Sequence, residues 1–289
     1  MRINLHFELA PGDCWALIPL LRDFAEQQPA HELCPVTPSN EVFAGLPFYR
    51  APRPKPDLDL RFRFTPDRVS DGCAFYGTDG VSTMPGVFYE FITSSTGLLV
   101  ERRTGAPEVF LSAFERRWSA VPLERPVCVL NAGHKADIPV KDWGFENFSA
   151  VVAALRDRVL FVQVGANRAG FDFHRHVPGA LDLIGKTSLR ELAALVYHAD
   201  FVLTGISQLH HLAGIQAYKP RRCITLAGAR EPSNWANCWS RPGVTWHWLD
   251  AQDCRGNPPG CWRSTCPECS AMASITPETV INLIKEQIA

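Results

Sequence analysis

The sequence lacks a surplus of either charge. Its 289 residues carry 29 Lys and Arg against 30 Asp and Glu, which gives a formal net charge of −1. Proteins that bind nucleic acid through the phosphate backbone usually carry a clear basic surplus, so no nucleic-acid partner is expected. Charged residues make up only 20% of the chain and hydrophobic residues 46%, which excludes a disordered protein and supports a sizeable core.

Long hydrophobic runs are also missing. No apolar stretch approaches the roughly 18 residues of a membrane span, so no transmembrane segment is expected. Polar residues at Asn4, His6 and Glu8 interrupt the first strand-like stretch, which argues against a signal peptide. We therefore expect a cytoplasmic protein whose ten cysteines are mainly thiols.

Strand and helix patterns alternate through the second half. An amphipathic helix is indicated by apolar residues at Phe148, Val151, Val152 and Leu155. A capping box, Ser188 with Glu191, opens another helix. Short buried strands are predicted at 127–130, 160–164, 181–184, 201–203 and 223–226. Such alternation is typical of βαβ units in a parallel, Rossmann-like sheet.

The first half begins with the same pattern and then loses it. A strand at 3–9, a turn at 11–13 and a helix at 14–27 are predicted, but residues 50–85 are rich in Pro, Asp and Arg. Residues 109–118 favour a helix and 119–125 an interdomain linker. A last helix is predicted at 277–288, with Pro in its first turn.

Four loops follow predicted strands, at residues 12–13, 131–134, 164–167 and 205–208. Parallel sheets bind ligands at the carboxyl ends of their strands, so these loops suit a phosphorylated or nucleotide ligand. None of them contains G-x-G-x-x-G or a Walker sequence, which argues against a dinucleotide oxidoreductase and a P-loop kinase.

In this order the loops resemble those of glycosyltransferase family 9, the ADP-heptose-dependent heptosyltransferases. Four stretches carry the resemblance: Gly12-Asp13 with Pro19 and LLR behind it, NEVFAGLP at 40–47, NAG at 131–133 with KDWGFENF at 141–148, and LIGKTSLREL at 183–192 running on to HLA at 211–213. The resemblance implies an α/β protein of the GT-B fold, with two Rossmann-like domains facing a cleft. The motifs divide the chain into a reduced acceptor-side domain, 1–122, and a nucleotide-sugar-binding domain, 123–289.

The function implied by the resemblance is inverting transfer of a heptose-type sugar from a nucleotide-diphosphate sugar to an acceptor hydroxyl. The family's catalytic base falls on Asp13, and no catalytic metal is expected. The acceptor could be a saccharide, a lipid-linked sugar or a protein. Lys141 falls at the family's phosphate-binding lysine, and the matching diphosphate-loop positions are Asn131, Gly133, Ser207 and His211. Gly165 and Lys186 are also predicted to bind the nucleotide sugar.

Each of these residues also has a purely structural interpretation. Asp13 could be a turn residue and N-cap, Lys141 a solvated lysine, and His211 a core histidine on an apolar helix face. Cys14, beside Asp13, is interpreted as a small buried helix residue and not as a nucleophile.

The sequence departs from the family where D-S-G reads Ile206-Ser207-Gln208. The loss of a carboxylate there motivates a second hypothesis, a non-catalytic nucleotide or nucleotide-sugar binding protein. A third hypothesis, a metal-dependent nucleic-acid protein, would use Arg221-Arg222 and Trp262, and the charge balance argues against it.

Four cysteines cluster near the end of the chain in the pattern C-x6-C-x4-C-x2-C: Cys254, Cys261, Cys266 and Cys269. Four thiolates can form a tetrahedral site, for which zinc is the default ion and iron is compatible. Reduced thiols and disulfides are the alternatives. Autotransporter heptosyltransferases, which are relatives in the resembled family, carry a cysteine-bound iron finger with a different spacing.

Overall fold

The computed structural model describes residues 1–7, 11–62, 84–118, 121–136, 138–167, 172–228, 239, 241–250 and 271–288. The eleven strands of this part are β1 (Arg2–Phe7), β2 (Glu32–Val36), β3 (Leu58–Phe62), β4 (Val127–Asn131), β5 (His134–Lys135), β6 (Leu160–Gln163), β7 (Asp172–Phe173), β8 (Leu181–Asp182), β9 (Phe201–Gly205), β10 (Arg221–Ala227) and β11 (Val244–Asp250). Its α-helices are α1 (Pro11–Gln27), α2 (Met84–Thr96), α3 (Ala113–Arg117), α4 (Phe145–Leu155), α5 (Leu189–His198), α6 (Gln208–Ala213) and α7 (Pro277–Lys285). Among the helices in these residues, none is long and apolar enough to cross a bilayer.

The first half builds a three-stranded parallel sheet in the order β2-β1-β3. The apolar residues of β1, Ile3, Leu5 and Phe7, are buried, and Phe7 packs on Phe62 and Phe88 with ring centroids 5.3 Å apart in both pairs. The predicted turn at 11–13 is in fact the first turn of α1. Pro11 suits that position, because a proline at the start of a helix leaves no backbone N–H without a partner.

The second half builds a six-stranded parallel sheet in the order β11-β10-β9-β4-β6-β8. The chain first runs outward from β4 through β6 to β8, then returns to the other side of β4 with β9, β10 and β11. The direction of winding therefore reverses between β4 and β9, where open α/β sheets form their ligand crevice. This confirms the predicted α/β class with parallel sheets.

The helices of the second half follow the predicted patterns. The four apolar residues of α4 predicted to face the core are all buried. The capping box of α5 is formed, since the Ser188 hydroxyl accepts from the Glu191 amide and Glu191 accepts from the Ser188 amide. Thr276 caps α7, which buries Val280 and Ile284.

One apolar cluster joins the two halves of the chain. It extends from Ile3 on β1 to Trp239. It contains α1, residues between α2 and α3, and parts of α5 and α6. A second cluster packs α4 and α7 against the opposite face of the larger sheet. The division at residue 122 stays a prediction, and 119–120 within the predicted linker lie outside the described residues.

Several elements differ from the sequence prediction. Only Ala113–Arg117 of the predicted helix at 109–118 is helical, and Ser112 begins it with a capping box. The strands β2, β3 and β11 and the antiparallel pair β5–β7 were not predicted as strands. The pairing of β5 with β7 depends on two residues from each side, which is too short for a periodic pattern to form.

Candidate functional site

The crevice at the winding reversal is formed by the ends of β4 and β9. Asn131 and Thr204 pair across these strands. The Asn131 side-chain oxygen accepts from the Gly133 amide at 3.0 Å, which shapes the loop after β4. Thr204 and Ser207 share a hydrogen bond between their hydroxyl oxygens at 2.9 Å, and Ser207 caps α6. Two sequence-predicted residues, Asn131 and Ser207, therefore lie at the same edge of the sheet.

Lys141 lies at this crevice too. A short 3-10 helix, Pro139–Lys141, carries it over the end of β9, and its Nζ donates to the Ile206 carbonyl at 3.0 Å. The contact places an ammonium group beside the loop that begins α6. Ile206 itself is 8% exposed, so an apolar side chain is buried where the resembled family has a carboxylate.

The start of α1 contacts α6 from the other half of the chain. A Cβ at Gly12 would lie 2.9 Å from the Gln208 Cα and 3.2 Å from the His211 Cδ2, so only glycine allows this approach. Asp13 follows in the first turn of α1 and is half-buried. Because α1 begins at Pro11, the alternative interpretation of Asp13 as an N-cap is wrong.

His211 is buried within this contact. Its Nδ1 accepts from the Trp239 indole N–H at 3.3 Å. Burial, followed by the nearby charges of His210 and Lys141, holds the pKa of His211 well below its usual value. The imidazole is therefore neutral at physiological pH.

Gly133 and Gly165 lie on either side of one ring, His174, that was not predicted as a site residue. A Cβ at either glycine would overlap the imidazole of His174, which β7 delivers to the ends of β4 and β6. The Nδ1 atom of His174 is buried and has no hydrogen-bond partner among the described residues, and burial lowers its pKa. Both glycines are thus explained by room for His174.

Lys186 is the predicted residue that the structure places apart. Its Nζ bonds to the Asp182 carboxylate at 2.8 Å and to the Asp182 carbonyl at 2.9 Å, at the end of β8. Three strand spacings separate β8 from β9, a distance of about 14 Å. The structure therefore does not join Lys186 to the group around Ser207.

The C-terminal end of α6 is fixed by a buried arginine. Arg221 is fully buried and donates to three carbonyls, that of Ala213, the last residue of the helix, and those of Ile215 and Gln216 just beyond it. A cation at the carboxyl end of a helix satisfies carbonyls that have no partner within it. The loop and helix at 205–213 are thereby held at both ends.

Cysteines in the described part of the chain do not form a reactive site. The Cys14 thiol is buried, shares a hydrogen bond with Thr37 at 3.4 Å, and has its pKa raised by burial to about 12. It is therefore a packing residue, as predicted. Cys34, Cys128 and Cys223 are likewise buried and free.

A metal site was expected at Cys254, Cys261, Cys266 and Cys269, and all four lie outside the described residues. Within the residues that the structure describes, no group of three or more His, Cys, Asp or Glu side chains could hold a metal ion. The hydrogen-bonding groups at the crevice are instead the hydroxyl of Ser207, the ammonium of Lys141, the amide of Asn131 and the neutral imidazole of His211. Such donors suit an anionic oxygen-rich ligand such as a diphosphate.

A model of glycosyltransferase family 9 (heptosyltransferase) matches residues 95–258, more than half of the chain. Residues 1–94, with Gly12 and Asp13, lie outside this match. No curated protein sequence matches the chain.

Solved structures share the fold along nearly the whole chain. A family 9 glycosyl transferase from Veillonella parvula DSM 2008 has a TM-score of 0.71 at 13% identity, covering 99% of this chain and 97% of that one. The iron-containing dodecameric heptosyltransferase TibC, solved with ADP-D-beta-D-heptose, has a TM-score of 0.70 at 16% identity, covering 100% and 76%. The ADP-heptose LPS heptosyltransferase II of E. coli has a TM-score of 0.63 at 12% identity, covering 100% and 98%. At these identities the likeness shows the GT-B type of fold.

Proposed function

Because the chain belongs to glycosyltransferase family 9, we propose that it moves a heptose-type sugar from a nucleotide-diphosphate sugar to an acceptor hydroxyl, with inversion and with Asp13 as the general base. The observation that carries this proposal is the contact between Gly12 and α6, since a Cβ at Gly12 would lie 2.9 Å from the Gln208 Cα. That contact joins the element bearing a candidate base to the loop bearing candidate diphosphate ligands.

The proposed reaction is a single displacement. The acceptor oxygen attacks the anomeric carbon and the bond from that carbon to the diphosphate oxygen breaks. Asp13 takes the acceptor's proton, and the nucleoside diphosphate leaves with the electron pair. Lys141 and the hydroxyl and N–H donors at the end of β9 stabilise the charge that develops on the leaving diphosphate.

Asn131, Lys141, Ser207 and His211 form the proposed diphosphate site, supported by their convergence at the ends of β4 and β9. Gly133 and Gly165 serve it indirectly by admitting His174. The nucleotide-sugar-binding role of Lys186 stays a prediction. Nucleotide titration of Lys186→Ala tests it, and because its ammonium is bonded to Asp182, unchanged affinity is the expected result.

Asp13→Asn tests the base assignment. Transfer should fall by about 100-fold or more, because general-base catalysis typically contributes that much, while donor affinity stays unchanged. The measurement is transfer or donor turnover together with nucleotide binding by calorimetry. Glu26→Gln, at an exposed position further along α1, is the matched control. Full activity in Asp13→Asn would show that the base lies elsewhere.

Lys141→Ala tests the diphosphate site. Hydrogen bonds to charged groups are worth about 1.5–3 kcal/mol, so affinity for ADP, UDP or GDP, whichever binds, should fall about 10- to 100-fold. Lys285→Ala, which removes an exposed lysine from the last turn of α7, is the control for loss of a positive charge. Equal affinities in the two variants would show that Lys141 does not bind the diphosphate.

A binding protein without transferase activity is the second candidate, and the buried Ile206 favours it. An isoleucine cannot replace the polar contacts of the carboxylate found at this position in the family. This candidate predicts that nucleotide sugars raise the melting temperature without being hydrolysed or transferred. A thermal-shift screen followed by product analysis separates the two candidates and identifies the nucleotide and the acceptor class, whether saccharide, lipid-linked sugar or protein.

We also propose a structural zinc or iron ion bound by Cys254, Cys261, Cys266 and Cys269. The spacing of the four thiols supports it, and the iron recorded for the structurally similar TibC makes iron a specific alternative. Elemental analysis of the purified protein should find about one metal ion per chain. Cys266→Ser should reduce that content, whereas Cys128→Ser, at a buried free cysteine, should not.

A further inference from the structure

Trp239 contacts the candidate site, although it was not predicted as a site residue. Its side chain is 2% exposed and packs against Gly214, where an added Cβ would lie 3.2 Å from the Trp239 Cβ. Arg241 donates to the Gly214 carbonyl at 3.0 Å. Glycine at the end of α6 therefore allows the indole to reach the ring of His211.

The hydrogen bond between the two rings has a defined direction. The indole nitrogen of Trp239 can only donate, so Nδ1 of His211 must be the acceptor at 3.3 Å. An Nδ1 that accepts carries no proton, and the single proton of a neutral imidazole then resides on Nε2. The two rings are nearly perpendicular, at 83° with centroids 6.0 Å apart.

The protonated nitrogen lies on the side of the ring that faces the first half of the chain. Nε2 is bonded to Cδ2, and Cδ2 is the His211 atom nearest to Gly12, at 3.2 Å from a Cβ built there. Asp13 follows Gly12 in the sequence, and Lys141 contributes a positive charge near the ring. Nε2 therefore belongs to the edge of the ring that lies against the start of α1, where Gly12 precedes the candidate base Asp13.

We propose that Trp239 is a positioning residue that fixes His211 as the neutral Nε2–H tautomer, which donates a hydrogen bond to an anionic oxygen of the donor's diphosphate. The role of the N–H rests on the proposed function, whereas the tautomer does not. A fixed neutral donor recognises the anion at every pH near neutrality. A neutral imidazole also offers no acidic proton to the diphosphate oxygen whose bond to the sugar breaks.

Nitrogen NMR of the ring tests the tautomer directly. In ¹⁵N-labelled protein near pH 7, His211 should show a protonated Nε2 and an unprotonated Nδ1 that accepts a hydrogen bond. The spectrum of His211→Gln identifies which signals belong to His211. In Trp239→Phe, which keeps an aromatic ring but lacks the N–H, the Nδ1 signal should move to that of a nitrogen without a donor. A wild-type ring protonated at Nδ1 would overturn the proposal.

Binding of ADP, UDP and GDP in a double-mutant cycle separates positioning from packing. Trp239→Phe should weaken binding of the preferred diphosphate about three- to tenfold, the effect expected for loss of one buried hydrogen bond. Glutamine at 211 offers an amide donor in place of Nε2 but has no tautomers. Trp239→Phe should therefore cause no further loss in the His211→Gln protein, whereas an equal loss in both backgrounds would overturn the positioning role.

Trp143→Phe is the matched control, because it removes another buried indole bond, from Trp143 Nε1 to the Ile275 carbonyl at 2.7 Å. It should lower thermal stability without the Nδ1 change at His211. If wild-type protein binds none of the three diphosphates, the proposed function and the ligand role of Nε2–H both fail. The wild-type NMR spectrum would still show which ring nitrogen of His211 carries the proton, so the tautomer would still be tested.

Discussion

At the scale of single residues, three glycines of the predicted ligand loops are required by contacts within the protein. Gly12 admits the backbone of α6, and Gly133 and Gly165 admit the ring of His174. The sequence identified these positions as parts of loops that follow predicted strands. It could not supply the reason, because His174 reaches them through the two-residue pairing of β5 with β7.

Gly165→Ala should destabilise the protein by about 2 kcal/mol, because its Cβ would overlap the His174 ring and force a rearrangement. Denaturant unfolding measures the change in the free energy of unfolding. The double variant Gly165→Ala with His174→Ala should recover most of the loss caused by the overlap. If adding His174→Ala only increased the destabilisation, steric overlap with this ring would not be the cause.

At the scale of elements, the short helix α3 depends on a partner in the other half of the chain. Five residues are too few for a stable isolated helix. Arg190 on α5 binds both carboxylate oxygens of Glu115, at 2.7 and 2.8 Å, and also donates to the Phe110 carbonyl. These hydrogen bonds hold the segment around α3 against α5.

The Glu115–Arg190 pair should make stability depend on acidity. Hydrogen bonding from Arg190, with a smaller contribution from Ser112, lowers the pKa of Glu115 to about 2 although burial opposes the shift. Because the folded pKa lies below the ordinary glutamate value of 4.5, the stabilisation is complete above about pH 4.5 and is lost as the pH falls towards 2.

In Glu115→Gln, the loss of stability that this pair causes below about pH 4.5 should disappear. The variant should also be about 1–2 kcal/mol less stable than wild type at pH 7. Chemical unfolding at pH 7, 4.5 and 3 measures it. Arg190→Lys keeps the charge but loses the two-pronged geometry, so it should fall between wild type and Glu115→Gln at pH 7. An unchanged pH profile in Glu115→Gln would show that the pair contributes no measurable stability.

Elements with many periodic residues were predictable and short ones were not. The apolar face of α4 and the capping box of α5 are local signals, and both are confirmed. The strand β11 contains Trp246, His247 and Trp248 in succession, which hides the alternation of a half-buried strand. The first part of the predicted helix at 109–118 is not helical, because its backbone contacts come from α5 and from Gln216, which local sequence cannot show.

At the scale of the whole molecule, the larger apolar cluster crosses from the first half to the second. We expect the described halves to unfold together in one transition, because breaking either half would expose core residues of the other. Leu17→Ala, at a buried position of α1, should lower stability by about 3 kcal/mol and shift the whole calorimetric transition. Two separate transitions, of which only one moves, would contradict a shared core.

The sequence allowed five strands of the second half, β4, β6, β8, β9 and β10, to be predicted, because its βαβ units repeat a strong local pattern. It also placed Asn131, Lys141 and Ser207 in loops that do meet at one sheet edge. The contact between Gly12 and α6, the position of His174 and the approach of Trp239 arise from long-range packing. Motif spacing contains no information about such contacts.

The double anchoring of α6 has a thermodynamic consequence. Ser207 and Thr204 bond at its beginning and Arg221 binds the carbonyls after its end, so this surface is ordered before any ligand arrives. A diphosphate that binds there loses little affinity to the conformational entropy of the protein. The heat-capacity change of binding should then be small and reflect the surface of the ligand itself, without the large negative value of coupled folding.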